Sequence, residues 1–228
     1  MTTTLFAFPA SAELQLDFQE LTAAYANGAI PKEPMAPRFI AFAQRYADEI
    51  LDALVLNLVS GADPDSHAPK TLENVVGLIK STSHALIRQV LNKRSNKDLA
   101  TVAEFMANRR VIMEIDGVKR DFISFPLAAS DYQLLHDAWQ KAASGEADVE
   151  AMKQATLRFA ELSTQAFYVE TGDAIELGFI AQKMFNMGHM AIDKALKMAI
   201  NRLIPALKPR ELKDFSSYFL GMLHSTDS

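Results

Sequence analysis

The chain of 228 residues contains no cysteine. This absence excludes a disulfide framework, a thiolate metal site and a cysteine nucleophile. It is also typical of proteins from reducing compartments, so we expect a cytoplasmic protein. The hydrophobic fraction of 49% and the charged fraction of 22% are those of a globular chain.

Long uninterrupted hydrophobic runs are missing as well. Polar residues break the longest apolar stretches at Asn57, at Gln182-Lys183 and at Asn186, whereas a membrane-spanning helix needs about 20 apolar residues. The segment from Met1 to Pro9 has no basic leader, and its apolar part is too short for a signal peptide. We therefore predict that no segment spans a membrane.

A surplus of basic charge is also absent. The formal net charge is −5 and the isoelectric point is about 5.6, which argues against a large nucleic-acid footprint. The order helix, helix, hairpin near the middle of the chain resembles a winged-helix DNA reader, but the helix that would enter the groove lacks cations. Its non-apolar positions are Asp98, Thr101, Glu104 and Asn108. We predict no nucleic-acid partner.

The motifs of the common catalytic and metal sites are not found. There is no nucleophile elbow, Walker loop or dinucleotide-binding glycine motif, and no glutamate has the histidine three residues later that di-iron bundles require. Asp48, Glu49 and Asp52 resemble the aspartate-rich motif of isoprenoid synthases, but the second acidic motif of that family is missing. An exposed helix face explains them better. We predict no catalytic residue, no metal site and no cofactor.

Helical periodicity covers most of the sequence. It is clearest from Asn74 to Asn92, where apolar residues recur every three or four positions and leave Lys80, His84 and Arg88 on the other side. We predict an all-α fold, a bundle of about seven or eight helices with one embedded β-hairpin. We expect one domain over residues 1–228, and a boundary near 126–130 stays open.

The predicted β-hairpin covers about residues 110–125. Val111 to Ile115 and Val118 to Phe125 are rich in β-branched and aromatic residues, and Asp116-Gly117 between them suits a type I′ turn. A lone hairpin is marginally stable in water, so it needs a further partner. Two partners stay open: the N-terminal segment Leu5 to Phe8, and the same hairpin of a second subunit.

Methionine is concentrated in the helical pattern from Ala174 to Ala206. Met184 and Met187 lie on one apolar stripe of this helix, and Phe185 and Ile192 lie on a second. Methionine-rich surfaces adapt to varied protein partners and apolar ligands. A helix with two apolar sides is either central in its own bundle or shared with another subunit.

The same region holds the candidate ligand-binding residues. His189 and Asp193 are one helical turn apart, and a histidine oriented by a carboxylate suits a general base or a metal site. Their stripe is polar along its length and ends in a lysine, which favours an exposed helix face. The candidates for ligand binding are His189, Asp193, Glu176, Met184 and Met187.

Two functional hypotheses follow. The first is a non-enzymatic helical protein-binding or regulatory protein that acts as a homo-oligomer, most simply a homodimer. The second is a small-molecule-binding sensor or enzyme with an apolar cavity lined by methionine and phenylalanine, of about 300 Å³ or more. The first is favoured, because it needs no catalytic set and because the helix from Ala174 to Leu203 is apolar on two sides.

Overall fold

The computed structural model describes residues 2–55, 67–115, 117–175, 177 and 179–227. Most of these residues are helical, as the sequence predicts. The helices are α1 (Ala12–Ala24), α2 (Ala36–Leu54), α3 (His67–Leu91), α4 (Asn96–Asn108), α5 (Ala129–Ser144), α6 (Val149–Thr164), α7 (Glu170–Asp173), α8 (Phe179–Ala206) and α9 (Pro209–Leu220).

Capping side chains set several of the helix starts. Ser11 is the N-cap of α1, where its hydroxyl accepts a hydrogen bond from the Leu14 amide at 3.1 Å. Ser95 and Asp98 form a reciprocal capping box at the start of α4. Within the described ranges, the helices are all too short or too polar to cross a membrane.

Four strands form one antiparallel sheet in the order β2-β3-β1-β4. They are β1 (Thr2–Pro9), β2 (Arg110–Ile115), β3 (Val118–Pro126) and β4 (Leu223–Asp227). β2 and β3 are the predicted hairpin, and Gly117 in its turn has a φ of 75°. Asp116 lies outside the described residues. Phe6 of β1 pairs with Phe125 of β3 on one side and with Leu223 of β4 on the other.

The sheet corrects the prediction of a single hairpin among helices. The N-terminal segment supplies a third strand, which was one of the two partners left open for the hairpin. β4 adds a fourth strand that the sequence did not predict, because Leu223–Asp227 is short and polar and shows no clear period of two. Since β1 pairs with β4, the two ends of the described chain lie side by side.

A cluster of aromatic rings joins the sheet to the helices. The Phe6 ring centroid lies 4.6 Å from that of Phe159 in α6 and 5.5 Å from that of Phe125 in β3. Trp139 of α5 lies 5.1 Å from Phe219 of α9. All five side chains are buried, and burial of a large apolar side chain contributes about 1.5–3 kcal/mol. This cluster is the centre of the core.

Helix α6 does not end in a regular turn. It continues into five residues of π-helical geometry, Gln165–Val169, which lead directly into α7; we call them the π segment. Two successive aromatic side chains of this segment contact different neighbours. The Phe167 ring packs edge-on against Phe125 of the sheet at 5.2 Å, and the Tyr168 ring stacks on Phe185 of α8 at 4.4 Å. The π segment therefore links the sheet to α8.

Two glycines allow the close approach of α8 to the end of α6. A methyl group added to Gly172 would overlap the ring of Phe185, and one added to Gly188 would overlap the hydroxyl of Tyr168. The same hydroxyl donates a hydrogen bond to the main-chain oxygen of Phe185 at 3.0 Å. The contact between the π segment and α8 thus depends on the absence of a side chain at both positions.

Substitution Gly172→Ala is expected to destabilise the fold by about 1–3 kcal/mol, because the added methyl group must displace the Phe185 ring. Urea denaturation followed by circular dichroism measures this loss. The matched control is Gly77→Ala in α3, where the added methyl group meets no atom within 4 Å and helix propensity should raise stability by up to about 1 kcal/mol. Equal stabilities of the two variants would contradict the close contact at Gly172.

His224 on β4 is expected to make this edge of the sheet sensitive to acid. Burial lowers the pKa of His224 from its ordinary 6.5 and outweighs the opposing effect of a hydrogen bond with the Ala7 backbone. Because the fold favours the neutral ring, this stabilisation is complete above pH 6.5 and is lost as the pH falls through the folded-state pKa. Amide protection factors in β4 should fall more steeply than those in β2 between about pH 7 and pH 5. In His224→Gln, amide protection in β4 and β2 should fall equally with pH. A steeper fall in β4 that persists in this variant would show that His224 does not cause the acid sensitivity.

Candidate functional site on helix α8

Helix α8 packs on α6 and α3 and buries one side against them. Phe185, Ile192 and Leu203 lie on this side and are at most 8% exposed. They belong to the second of the two apolar stripes that the sequence shows. The inner side of α8 is therefore an ordinary core surface.

The other apolar side of α8 faces outward. Met184, Met187, Met190 and Met198 are 41%, 63%, 73% and 46% exposed. With Ala191 they recur every three, four or seven residues, which places them along one side of the helix. We call these five residues the methionine face. Large exposed apolar patches commonly mark interaction sites in globular proteins.

Cations are interspersed with this methionine face. Lys183 precedes Met187 by four residues, Lys194 lies between Met190 and Met198, and Arg202 follows Met198 by four. All three cations are exposed, and the described residues form no ion pair with them. Helix α8 carries four basic residues and one acidic residue, a formal charge of +3, in a chain whose net charge is −5. The methionine face thus has a positive rim on an otherwise acidic protein.

The edge of α8 toward α6 is neutralised by ion pairs. Lys197 Nζ lies 3.0 Å from Asp193 Oδ1 and 3.7 Å from Glu161 Oε1 of α6. The hydrogen bond with Asp193 is the main cause that raises the pKa of Lys197, and the negative charges of Asp193 and Glu161 add to it. Asp193 is therefore paired with Lys197 and does not orient His189.

His189 takes part in an aromatic stack. Its ring lies nearly parallel to that of Tyr168, with centroids 6.0 Å apart and an interplanar angle of 20°. Phe185, one turn earlier, stacks on the same tyrosine. Burial raises the pKa of Tyr168 to about 12, so the phenol is neutral and donates its hydrogen bond at physiological pH. The position of His189 is that of a packing residue beside the π segment.

The four candidate ligand-binding residues that the structure describes lie in three different surroundings. Met184 and Met187 lie on the outer side of α8, whereas His189 stacks on Tyr168 and Asp193 binds Lys197. Glu176 lies outside the described residues. The features common to this part of α8 are exposed apolar area and positive charge rather than a convergent polar site.

Two apolar cavities lie on the inner side of the helix layer. The first, of about 140 Å³, lies between α2, α3, α6 and α8; we call it the α6 cavity. The second, of about 130 Å³, lies between α2, α3, α4 and the end of the π segment; we call it the α4 cavity. Phe167 and Tyr168 border both. Met184 and Met187, two of the candidate ligand-binding residues, line neither cavity.

Tyr46 of α2 lines the α4 cavity. The side chain is 4% exposed, and its hydroxyl has no hydrogen-bond partner among the described residues. Its ring packs against those of Phe42 and Phe167, and burial raises the pKa of Tyr46. A buried hydroxyl without a partner costs about 1–3 kcal/mol. In the sequence, Tyr46 is marked only by being a tyrosine in the phenylalanine-rich stripe of α2.

The acidic cluster on α2 has a structural role. His84 Nε2 of α3 lies 2.9 Å from Asp48 Oδ1, and Lys80 Nζ lies 2.7 Å from Asp52 Oδ1. Glu49 instead accepts hydrogen bonds from Ser11 at the start of α1. These carboxylates, predicted to be a solvated face, are half-exposed and join α2 to its neighbours. The described residues contain no group of three acidic or histidine side chains arranged to hold a metal.

Removal of the Tyr168 hydroxyl should destabilise the fold, whereas removal of the Tyr46 hydroxyl should not. Tyr168→Phe deletes the hydrogen bond to Phe185 and should destabilise the fold by about 0.5–1.5 kcal/mol. Tyr46→Phe deletes a buried hydroxyl that has no partner, so the free energy of unfolding should stay equal or rise. Urea denaturation of the two variants and the unmodified protein makes the comparison. A loss of more than about 1 kcal/mol in Tyr46→Phe would show that its hydroxyl is bonded.

Comparisons of the chain with protein-family models, with curated proteins and with solved structures find no match.

Proposed function

We propose that this protein is a non-enzymatic helical binding protein, and that its methionine face docks an acidic amphipathic helix of a protein partner. The observation that carries the proposal is the exposure of Met187 and Met190, 63% and 73%, on a helix whose inner side is packed in the core. The lack of cysteine fits action in a reducing compartment such as the cytoplasm.

Methionine suits this role because its side chain is unbranched and polarisable. Such side chains repack around partners of different shape, and grooves or faces rich in methionine bind amphipathic helices through anchors at helical spacing. The methionine face extends from Met184 to Met198, which is about four helical turns. This length matches the contact that one short helix makes.

The charges around the methionine face favour an acidic occupant. Lys183, Lys194 and Arg202 are exposed and unpaired within the described ranges, so acidic side chains at the edge of a docked helix would find a cation at both ends and at the middle. Unpaired like charges on both partners would disfavour association. A basic or neutral helix therefore fits less well than an acidic one.

The sequence alone favours a homodimer through this helix, but the charges favour a different partner. A two-fold contact between two copies would place one positive rim against another, because a two-fold interface uses the same surface on both subunits. We therefore propose an acidic partner as the occupant and treat self-association as an outcome of the test. The identity of the partner would then determine which process the protein regulates.

The test uses a synthetic amphipathic peptide with leucine at helical spacing and glutamate elsewhere, and a lysine version of the same peptide. At low salt, fluorescence anisotropy should show that the full chain binds the glutamate peptide at least tenfold more tightly than the lysine peptide. High salt should reduce this preference. The double variant Met187→Asp/Met190→Asp should lower the affinity at least tenfold, because two apolar anchors are lost. Lys194→Glu, as a separate variant, should lower the affinity for the glutamate peptide more at low salt than at high salt.

The matched controls change similar residues elsewhere. Leu16→Asp alters a side chain on α1 that is 59% exposed, and Lys213→Glu reverses an exposed lysine on α9; both should leave peptide binding unchanged. Native mass spectrometry checks the subunit count of each protein. Equal affinity for the two peptides would overturn the proposal. A dimer that dissociates in the methionine variant would overturn the acidic partner in favour of a second copy.

A further inference from the structure

The hairpin edge of the sheet forms another interaction surface, which does not depend on the proposed function of α8. We propose that β2 pairs antiparallel with β2 of a second copy of this chain, with Ile112 on the two-fold axis. The two four-stranded sheets then join into one. β2 is an edge strand in the order β2-β3-β1-β4, and within the described residues β3 is its only strand partner.

Hydrogen bonds around the hairpin show which main-chain groups of β2 point toward the edge. The Ser124 amide donates to the Arg109 carbonyl at 2.8 Å, so these two residues are a hydrogen-bonded pair, and such pairs alternate along an antiparallel ladder. Asp121, opposite Ile112, agrees with this alternation, because its carbonyl accepts from the Ala10 amide at 2.9 Å on the side away from β2. The main-chain groups of every second residue of β2 therefore point away from β3. These residues are Arg110, Ile112 and Glu114.

β2 lacks features that usually protect an edge strand from pairing. Proline, lysine and bulges commonly interrupt the row of outward main-chain groups in such strands. Arg110–Ile115 contains neither proline nor lysine, and it pairs with β3 residue for residue, without a bulge. Ile112, in the middle of the outward row, is 56% exposed. An added strand would cover this side chain and pair the outward amides and carbonyls.

The order of the outward residues makes the edge complementary to itself. In the antiparallel register centred on Ile112, that residue faces its own copy, and Arg110 faces Glu114 of the second copy. All the outward main-chain groups are then paired, and opposite charges lie directly across from each other, which stabilises a strand pair. A shift by two residues places Ile112 opposite a charged residue and leaves outward groups unpaired. The sequence of β2 therefore selects one two-fold register.

Arg110 can join this contact without losing its bond within the fold. Its Nε donates to Asp121 Oδ1 at 2.8 Å, and the terminal nitrogens of a guanidinium can bind a second carboxylate. Glu114 lies opposite Lys119 in its own hairpin, so positive and negative side chains alternate across the junction. The contact is small, so we expect a weak dimer with a dissociation constant between about 10 μM and 1 mM.

Cysteine crosslinking tests the register, because the chain has no cysteine of its own. Ile112→Cys places two thiols opposite each other with Cα atoms about 5.5 Å apart, a distance that a disulfide spans. In a buffer of reduced and oxidised glutathione, this variant should form a covalent dimer at least tenfold faster than Glu114→Cys. In the proposed register the Cα atoms of the latter pair lie about 14 Å apart. Equal rates would overturn the proposal.

Sedimentation equilibrium of the full chain over a range of concentrations measures the dimer itself. Ile112→Lys should raise the dissociation constant at least tenfold, and so should Ile112→Pro, which removes an outward amide and leaves the bonds to β3 intact. The matched control is Val118→Lys, because Val118 is 50% exposed on the same hairpin but lies in β3; it should leave the dimer unchanged. Met187→Asp/Met190→Asp should also leave it unchanged, which separates this contact from the methionine face.

Three outcomes would contradict the proposed dimer. The unmodified protein could remain monomeric at about 1 mM, or Val118→Lys could weaken the dimer as much as Ile112→Lys. A dimer that dissociates in Met187→Asp/Met190→Asp and persists in Ile112→Lys would place the contact on α8 instead of β2.

Discussion

The contact between the π segment and α8 determines which side of α8 faces outward. Gly172 lies against the Phe185 ring, Gly188 lies against the Tyr168 hydroxyl, and that hydroxyl is bonded to the main chain of α8. Because both positions are glycine, α8 approaches the end of α6 more closely than a residue with a side chain would permit. The rotation of α8 about its axis is then fixed, so one apolar stripe enters the core and the methionine face points outward. The same contact forms the common border of the two cavities, through Phe167 and Tyr168.

Local signals in the sequence were sufficient for many features of the fold. Ser11 and Ser95 cap helices, in keeping with the general preference for serine at this position, and the segments on either side of Gly117 form the expected hairpin. The period of the helices is visible because apolar residues must recur every three or four positions to enter a core. The pairing of the N-terminal segment with the hairpin, one of the two alternatives, is also confirmed. It could be anticipated because Leu5 to Phe8 are apolar enough to be recognised as a strand.

Other features depend on contacts between distant parts of the chain, so the sequence could not supply them. β4 is a strand because β1 is its neighbour, not because Leu223–Asp227 has strand character of its own. The outward direction of Met187 was equally hidden, since two apolar stripes on one helix do not indicate which stripe is buried. Asp193 illustrates the same limit: its spacing from His189 suggests a pair, but Lys197 lies at a competing distance on the same helix. Tyr46 could not be singled out, because the missing hydrogen bond is visible only in three dimensions.

The proposed partner site and the interior around Tyr46 are both places where the chain departs from ordinary packing rules. Exposed Met190 loses the free energy that burial would give it, and the unpaired hydroxyl of Tyr46 destabilises the core. Sequences that fold well are consistent at every level, and violations tend to be concentrated at functional sites. Here the two violations lie on either side of one structural element, because α8 carries the methionine face outside and Phe185 in the cavity wall inside. The tight contacts at Gly172 and Gly188 hold α8 in the orientation that keeps the methionine face outward.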